Sequence, residues 1–380
     1  MARSHKMLRK NKAMLSRRQK KNGYMCWWHS FTGEHAVTGE KKSFFIELFL
    51  INPSRSPKKM VFGQLYSQKT KEHRPSYVMV KAGAWGEDAK QIHKFFPIAD
   101  LQRTKKTFGL RVGTTHVSET ELAGSVGLSN QQAKLHPEYM SDAGKMSWNL
   151  TMKKKCPYDV GYSSSFPCRH LNIFEMYWHV QGIKTAYSGT VVLDGQTYKV
   201  RPETSFGYAD KNWGTDYTSP LLWLSSNNLI SQITGKKLAN TCFVIGGGSP
   251  KILGIPLKRK VLSCFYYEGI KYDFNFTKWK KNSKVTFEIR ENEEVVHWLV
   301  SCNSKKYLLD VDVYCKKSEM ILIQYEAPTG EKFHNRLWNG GTGYGEIKFF
   351  AKKGKNLEQI EYAKVENCGC EYGEYDQRDL

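Results

Sequence analysis

No apolar stretch in the sequence approaches the roughly 20 residues that a helix needs to span a bilayer. The longest such run, residues 44–51, is interrupted by Glu47, so a helical membrane protein is excluded and a soluble chain is expected. The cysteines do not form a zinc-like pattern. Nine are scattered over 380 residues; Cys368 and Cys370 stand too close together, and Cys302 and Cys315 have no second pair nearby. No secretory signal is recognisable, so reduced thiols in a cytoplasmic protein are expected. A nucleophile elbow, a His-Glu-x-x-His helix and an ordered acidic cluster are all missing, which argues against hydrolases and metalloenzymes. Neither a metal nor a cofactor is expected. Gly246-Gly247-Gly248-Ser249-Pro250 lacks the Lys-Ser/Thr ending of a phosphate loop and reads as a turn.

Negative charge is scarce. Fifty-eight Lys and Arg against 36 Asp and Glu leave a net charge of +22. The first 22 residues contain nine basic residues and no acidic one, and are expected to be disordered when free. An inert solvated tail is one reading; peripheral contact with an anionic membrane is another, each basic residue near such a surface contributing about 1 kcal/mol. Met7, Leu8, Met14 and Leu15 form a weak apolar stripe compatible with the second. Nucleic acid is disfavoured as a partner, because the aromatic residues sit in apolar strands instead of alternating with basic ones.

What the chain has in abundance is short strands. Segments 43–51, 60–66, 76–81, 108–113, 122–128 and 146–152 are rich in β-branched or aromatic residues and bounded by turn formers. Later strands are expected at 284–289, 295–301, 306–315, 320–325, 346–351 and 357–365. Asp194-Gly195 and Glu268-Gly269 each separate two such runs, the pattern of a tight hairpin. Apart from the tail, only residues 87–96 suggest a helix. So many strands require closed or nearly closed barrels, since open edges in that number would aggregate.

One segment stands apart chemically: Phe206-Gly207-Tyr208-Ala209-Asp210-Lys211-Asn212-Trp213-Gly214, with Trp178-His179 before it and Trp223 after. In a strand, Tyr208, Asp210 and Asn212 share one face, and Lys211 and Trp213 the other. A carboxyl, a phenol and an amide in line suit proton transfer; a buried Asp that ties down backbone amides is the structural alternative.

This segment resembles the signature of the tocopherol cyclase family and, more loosely, the Trp-x-Asp-x-x-Trp-Gly segment of the carotenoid hydratase and lipocalin-like hydrolyase group. Other segments agree in order: Phe174-Glu175-Met176-Tyr177-Trp178-His179, Tyr187-Ser188-Gly189-Thr190-Val191, Tyr267-Glu268-Gly269-Ile270, Ala327-Pro328-Thr329-Gly330 and Gly343-Tyr344-Gly345-Glu346. The resemblance runs from about Tyr24 to Phe350. It implies an all-β chain of two lipocalin-like antiparallel barrels packed side by side. The expected divisions are a basic tail at 1–22, barrels at 23–217 and 218–370, and an acidic tail at 371–380.

The resemblance also implies a chemistry. In the cyclases an acid protonates a prenyl double bond and a phenolic oxygen closes a ring onto the cation; in the hydratases water traps the cation. Asp210 would be the acid, Tyr208 its relay or cation stabiliser and His179 its partner. Tyr177, Trp178, Asn212, Trp213, Trp223 and Trp28 would bind an apolar, isoprenoid-like substrate, His179 and the tryptophans also being open to a packing role. Two departures are visible. Asp210 stands where the cyclases carry Glu, and Trp178-His179 replaces the His-x-Trp order of the hydratases, so these two side chains cannot share a face of one regular strand. A non-catalytic carrier of a hydrophobic ligand is the alternative function, with Asp210 anchoring a ligand hydroxyl.

Overall fold

A computed structural model describes residues 11–15, 18–63, 74–104, 107–158, 174–252, 255–256, 258, 260–275, 283–330 and 332–377. Most of the basic tail (1–10 and 16–17), the end of the strand expected at 60–66 and the last three residues of the expected acidic tail lie outside the described residues. Strands take up 64% of the described residues, and the one α-helix among them is α1 (Asn130–Leu135), which opens on a Ser129–Gln132 capping box. The chain is all-β.

Two large antiparallel sheets divide it. In the first, β1 (Tyr24–His35), β2 (Lys41–Ile51), β3 (Tyr77–Trp85) and β4 (Lys90–Phe96) pair in sequence. On the other side β5 (Gln102–Arg103), β6 (Gly109–Val112), β7 (Thr115–Ser118), β8 (Glu121–Leu128), β9 (Gly144–Lys155) and β10 (Met176–Leu193) form a second run of neighbours. Two strands, β11 (Gln196–Val200) and β12 (Gly207–Gly214), share the slot between β1 and β10: β12 pairs with the first part of each and β11 with the last. The sheet curls until β4 packs against β8, closing a barrel.

The second sheet begins after Gly214. It contains β13 (Leu221–Ser226), β14 (Asn228–Ser231), β15 (Cys242–Gly248), β18 (Lys260–Tyr267) and β19 (Ile270–Phe274), with β16 (Lys251–Ile252) and β17 (Ile255–Pro256) as a separate ribbon. It continues through β20 (Lys284–Glu291), β21 (Val295–Asn303), β22 (Tyr307–Lys316), β23 (Ile321–Ile323), β24 (Lys332–Lys353) and β25 (Asn356–Gln377). Here β18 packs against β20.

Both expected hairpin turns form. Asp194 and Gly195 have φ of +48° and +84°, and Glu268 and Gly269 +43° and +85°, the two left-handed positions of a type I′ turn. Three expectations are corrected. Residues 87–96 contain no helix but the strand β4, whose backbone groups are satisfied by pairing with β3 from Val78 opposite Phe96 to Ala84 opposite Lys90. The acidic segment from Glu371 is no tail as far as Gln377, because β25 runs through it in register with β24. The third correction concerns the basic tail, part of which is anchored. Asn11 is buried, its Nδ2 donates to both carboxylate oxygens of Glu119 at 2.8 Å, and its carbonyl accepts from Trp27 Nε1 at 3.0 Å.

Alternation along β1 decides where the site can be. Trp27 stacks on Phe108 in the core of the first sheet. Tyr24, Cys26 and Trp28 point the other way, toward the second sheet, where Trp85 Nε1 donates to Asn339 Oδ1 at 3.0 Å.

Candidate active site between the two sheets

Strand register brings the polar groups together. In the first sheet one rung runs from Val180 through Asp210, Trp28, Glu47 and Lys81 to His93, each residue directly opposite the next on the neighbouring strand. In the second sheet another runs from Leu262 through Gly246, Trp223, Glu371 and Asn339 to Ile321. Asp210, Trp28 and Glu47 from the first rung and Gly246, Trp223, Glu371 and Asn339 from the second line a single cavity of about 80 Å³, together with Tyr24, Phe49, Trp178 and Tyr325.

Asp210 is 6% exposed. Its Oδ2 accepts two hydrogen bonds of 2.7 Å, from Trp178 Nε1 and from the Tyr208 hydroxyl. Its Oδ1 has no hydrogen-bond partner among the described residues. Burial pushes the Asp210 pKa up to about 7; the bonds from Trp178 and Tyr208 pull it down, and the charge of Glu47 adds to the rise. Because both donors point at Oδ2, the acid proton belongs on Oδ1. Tyr208 stays a phenol, held far above its usual range by burial and by the charge of Asp210. Trp223 Nε1 donates to the Tyr208 hydroxyl at 3.3 Å, and Tyr187, itself bonded to His29, donates to the Tyr208 carbonyl at 3.1 Å.

Two glycines let the indoles in. A Cβ on Gly246 would stand 2.9 Å from Trp178 Cη2, and one on Gly369 would stand 2.3 Å from Trp223 Cη2, so each ring lies against bare backbone of the second sheet.

The structure divides the expected site residues. Trp28, Trp178, Asp210, Asn212 and Trp223 line the cavity, and Tyr208 stands behind Asp210. His179, Tyr177 and Trp213 do not join them. The register sets His179 opposite Lys211 and Tyr177 opposite Trp213, on the other face of the sheet. There Tyr177 stacks on Trp213 at 5.5 Å, and His179 Nε2 lies 3.0 Å from Asn11 Oδ1. The partnership expected between His179 and Asp210 is therefore not formed, since Val180, not His179, pairs with Asp210.

Four polar residues that motif reading passed over complete the cavity. Glu47 pairs with the buried Lys81 at 2.9 Å and accepts from the Tyr325 hydroxyl at 2.8 Å. Lys81 lies 4.0 Å from the Tyr325 ring centre. Asn339 Nδ2 donates to Glu371 Oε1 at 3.4 Å. Glu47 had left a trace in the sequence, as the single charge in an apolar strand; Tyr325, Asn339 and Glu371 had left none. Among the described residues, no group of three His, Cys, Asp or Glu side chains is placed to hold a metal ion.

Fold and site together define a class: a two-sheet antiparallel β protein with a desolvated carboxylic acid in an aromatic-walled cavity between its sheets. The chain belongs to the tocopherol cyclase-like family, whose model matches residues 67–374. No curated protein sequence matches it. Among solved structures it is similar to kievitone hydratase from Nectria haematococca, with a TM-score of 0.49, 10% identity and coverage of 95% of this chain and 91% of that one. An AttH-type protein from Nitrosomonas europaea is similar at a TM-score of 0.46 and 10% identity, over 90% of this chain and 92% of that one.

Proposed function

We propose that the protein is an enzyme that adds an O–H bond across a carbon–carbon double bond of an apolar, isoprenoid-like substrate, by cyclisation or hydration, with Asp210 as the acid. One observation carries this reading: Asp210 is buried on a cavity wall with both hydrogen-bond donors on Oδ2 and, among the described residues, none on Oδ1. A carboxyl group whose role was to tie down backbone would accept from backbone N–H groups, whereas the hydrogen-bond donors to the Asp210 side chain among the described residues are both side chains.

The steps follow from the geometry. The Oδ1–H bond breaks, its proton forms a C–H bond at the less substituted alkene carbon, and a tertiary cation remains. Trp178 and Tyr208 stabilise the new carboxylate through Oδ2, while the aromatic faces of the cavity hold the cation without capturing it. A phenolic or water oxygen then bonds to the cation, and its proton returns to Asp210, so the acid is regenerated.

The test uses 2-prenylphenol, whose product on ring closure is a dimethylchroman. Asp210→Asn keeps the shape, and its amide oxygen can accept the bonds from Trp178 and Tyr208, but it has no acid proton. Turnover should fall by at least about 10²-fold while the probe still binds. A change in affinity alone, in a protein with no turnover before substitution, would return the reading to a carrier. Normal activity per folded molecule in Asp210→Asn would end the acid assignment.

A further inference from the structure

Besides Asp210 and the ion-paired Glu47, a third carboxyl group lines the same cavity. Glu371 lies on β25 directly opposite Trp223 on one side and Asn339 on the other, so it shares a wall with the indole that reaches the Tyr208–Asp210 pair. It is held in a definite orientation. Trp85 Nε1 donates to Asn339 Oδ1 at 3.0 Å, which turns Asn339 Nδ2 toward Glu371 Oε1. Glu371 is half-buried and Asp210 buried, and both line the cavity. Across the cavity, on the first sheet, the Trp28 ring is 6.1 Å from that of Trp85, and its buried Nε1 has no hydrogen-bond partner among the described residues.

The charges around Glu371 oppose its use as a base. Burial raises its pKa to about 8; Asn339 pulls it down, Glu47 raises it, Lys81 lowers it and Asp210 raises it. Lys81 is already engaged by Glu47 at 2.9 Å, so among the described residues no cation is left over to stabilise a second carboxylate. A protonated carboxyl and an amide N–H on the second-sheet wall of the cavity, facing a first-sheet wall where the indole N–H of Trp28 is unpartnered among the described residues, are donors for an acceptor.

We propose that Glu371, oriented by Asn339, hydrogen-bonds an oxygen atom of the substrate and so fixes the direction in which the molecule lies, with its double bond at Asp210 and its oxygen at Glu371. Glu371 is then a substrate-binding residue and Asn339 a positioning one. The assignment rests on the acid reading of Asp210, but its consequence is a binding preference that can be measured without turnover.

The experiment titrates intrinsic tryptophan fluorescence with a matched pair of probes, 2-prenylphenol and prenylbenzene, which differ by one oxygen. The intact protein should bind the phenol about tenfold more tightly, the worth of one good hydrogen bond in a buried site. Glu371→Ala should erase that ratio, and Glu371→Gln, which keeps a neutral donor, should restore it. A fold defect would weaken both probes together and would not be rescued by Gln, so it is told apart by the ratio and by the melting temperature. An unchanged ratio in Glu371→Ala, or no ratio in the intact protein, overturns the inference. Turnover of 2-prenylphenol by Asp210→Asn is measured alongside. If it persists, the acid reading fails; if it is lost while Glu371→Ala leaves the ratio intact, only the role given to Glu371 fails.

Discussion

Trp223 on the second sheet donates its Nε1–H to the hydroxyl of Tyr208 on the first, at 3.3 Å, and Tyr208 passes its own hydrogen to Asp210 at 2.7 Å. The protonation of a carboxyl group on one sheet is therefore tuned by an indole from the other. Both donors to Oδ2 favour the carboxylate. Removing one, by Tyr208→Phe or Trp178→Phe, should move the Asp210 pKa above its value of about 7. The basic limb of the pH–rate profile, where the acid form is lost, should shift to higher pH in both variants. A shift in the opposite direction would show that the limb belongs to another group.

Stability should carry the same signature. A carboxyl group with a raised pKa in the folded state supports folding below its unfolded pKa and loses that contribution as pH rises through the folded one. For Asp210 the window runs from the ordinary 3.8 to about 7, and for Glu371 from 4.5 to about 8. Asp210→Asn has no charge to bury, so it should gain on the original protein across the first window, by roughly 2 to 4 kcal/mol at its upper end. Denaturant unfolding of both proteins at pH 5 and pH 8 measures this. A difference that does not grow with pH would contradict the burial of Asp210.

Gly246→Ala and Gly369→Ala test the fit of the indoles. Each new methyl group would stand closer to a ring than van der Waals contact allows, at 2.9 Å and 2.3 Å. The expected cost is about 1 to 3 kcal/mol of stability, larger at Gly369. Displacing Trp178 should also weaken its bond to Asp210, so Gly246→Ala should shift the pH–rate profile in the same direction as Trp178→Phe. Gly246→Ala with an unshifted profile would mean that the ring can move without losing Oδ2.

Asn11→Ala should destabilise the first barrel by roughly 1 to 3 kcal/mol, because it removes buried bonds to Glu119 and the contact with His179. The Asp210 pH dependence should not change, since those bonds lie on the opposite face of the sheet. Thermal melting and the pH–rate profile of the same variant check both halves of that statement.

The sequence made local facts readable and long-range ones only in part. Alternation alone placed Tyr208, Asp210 and Asn212 on one face, and two Gly-containing dipeptides marked hairpins that form with the expected φ angles. His179 could not be placed the same way. Its face depends on the register of β10 against β12, and a shift of one residue would have exchanged it with Trp178. Glu371 looked like the start of a solvated tail, since nothing local distinguishes a charged segment in water from one that continues a strand across a cavity. Asn11 was hidden in a run of lysines for a similar reason: its partners, Glu119 and His179, are more than 100 residues away. Glu47 and Lys81 each looked out of place in an apolar strand, and only their pairing in register explains either.

The peptide between Gly214, the last residue of β12, and Leu221, the first of β13, is six residues long. A tether that short holds the second sheet's wall at a high effective concentration beside the acid. Assembly of the cavity is then a unimolecular event, independent of how dilute the protein is. Two half-chains cut within this peptide would have to find each other by diffusion, and the pH dependence of Asp210 would become a readout of whether they had docked.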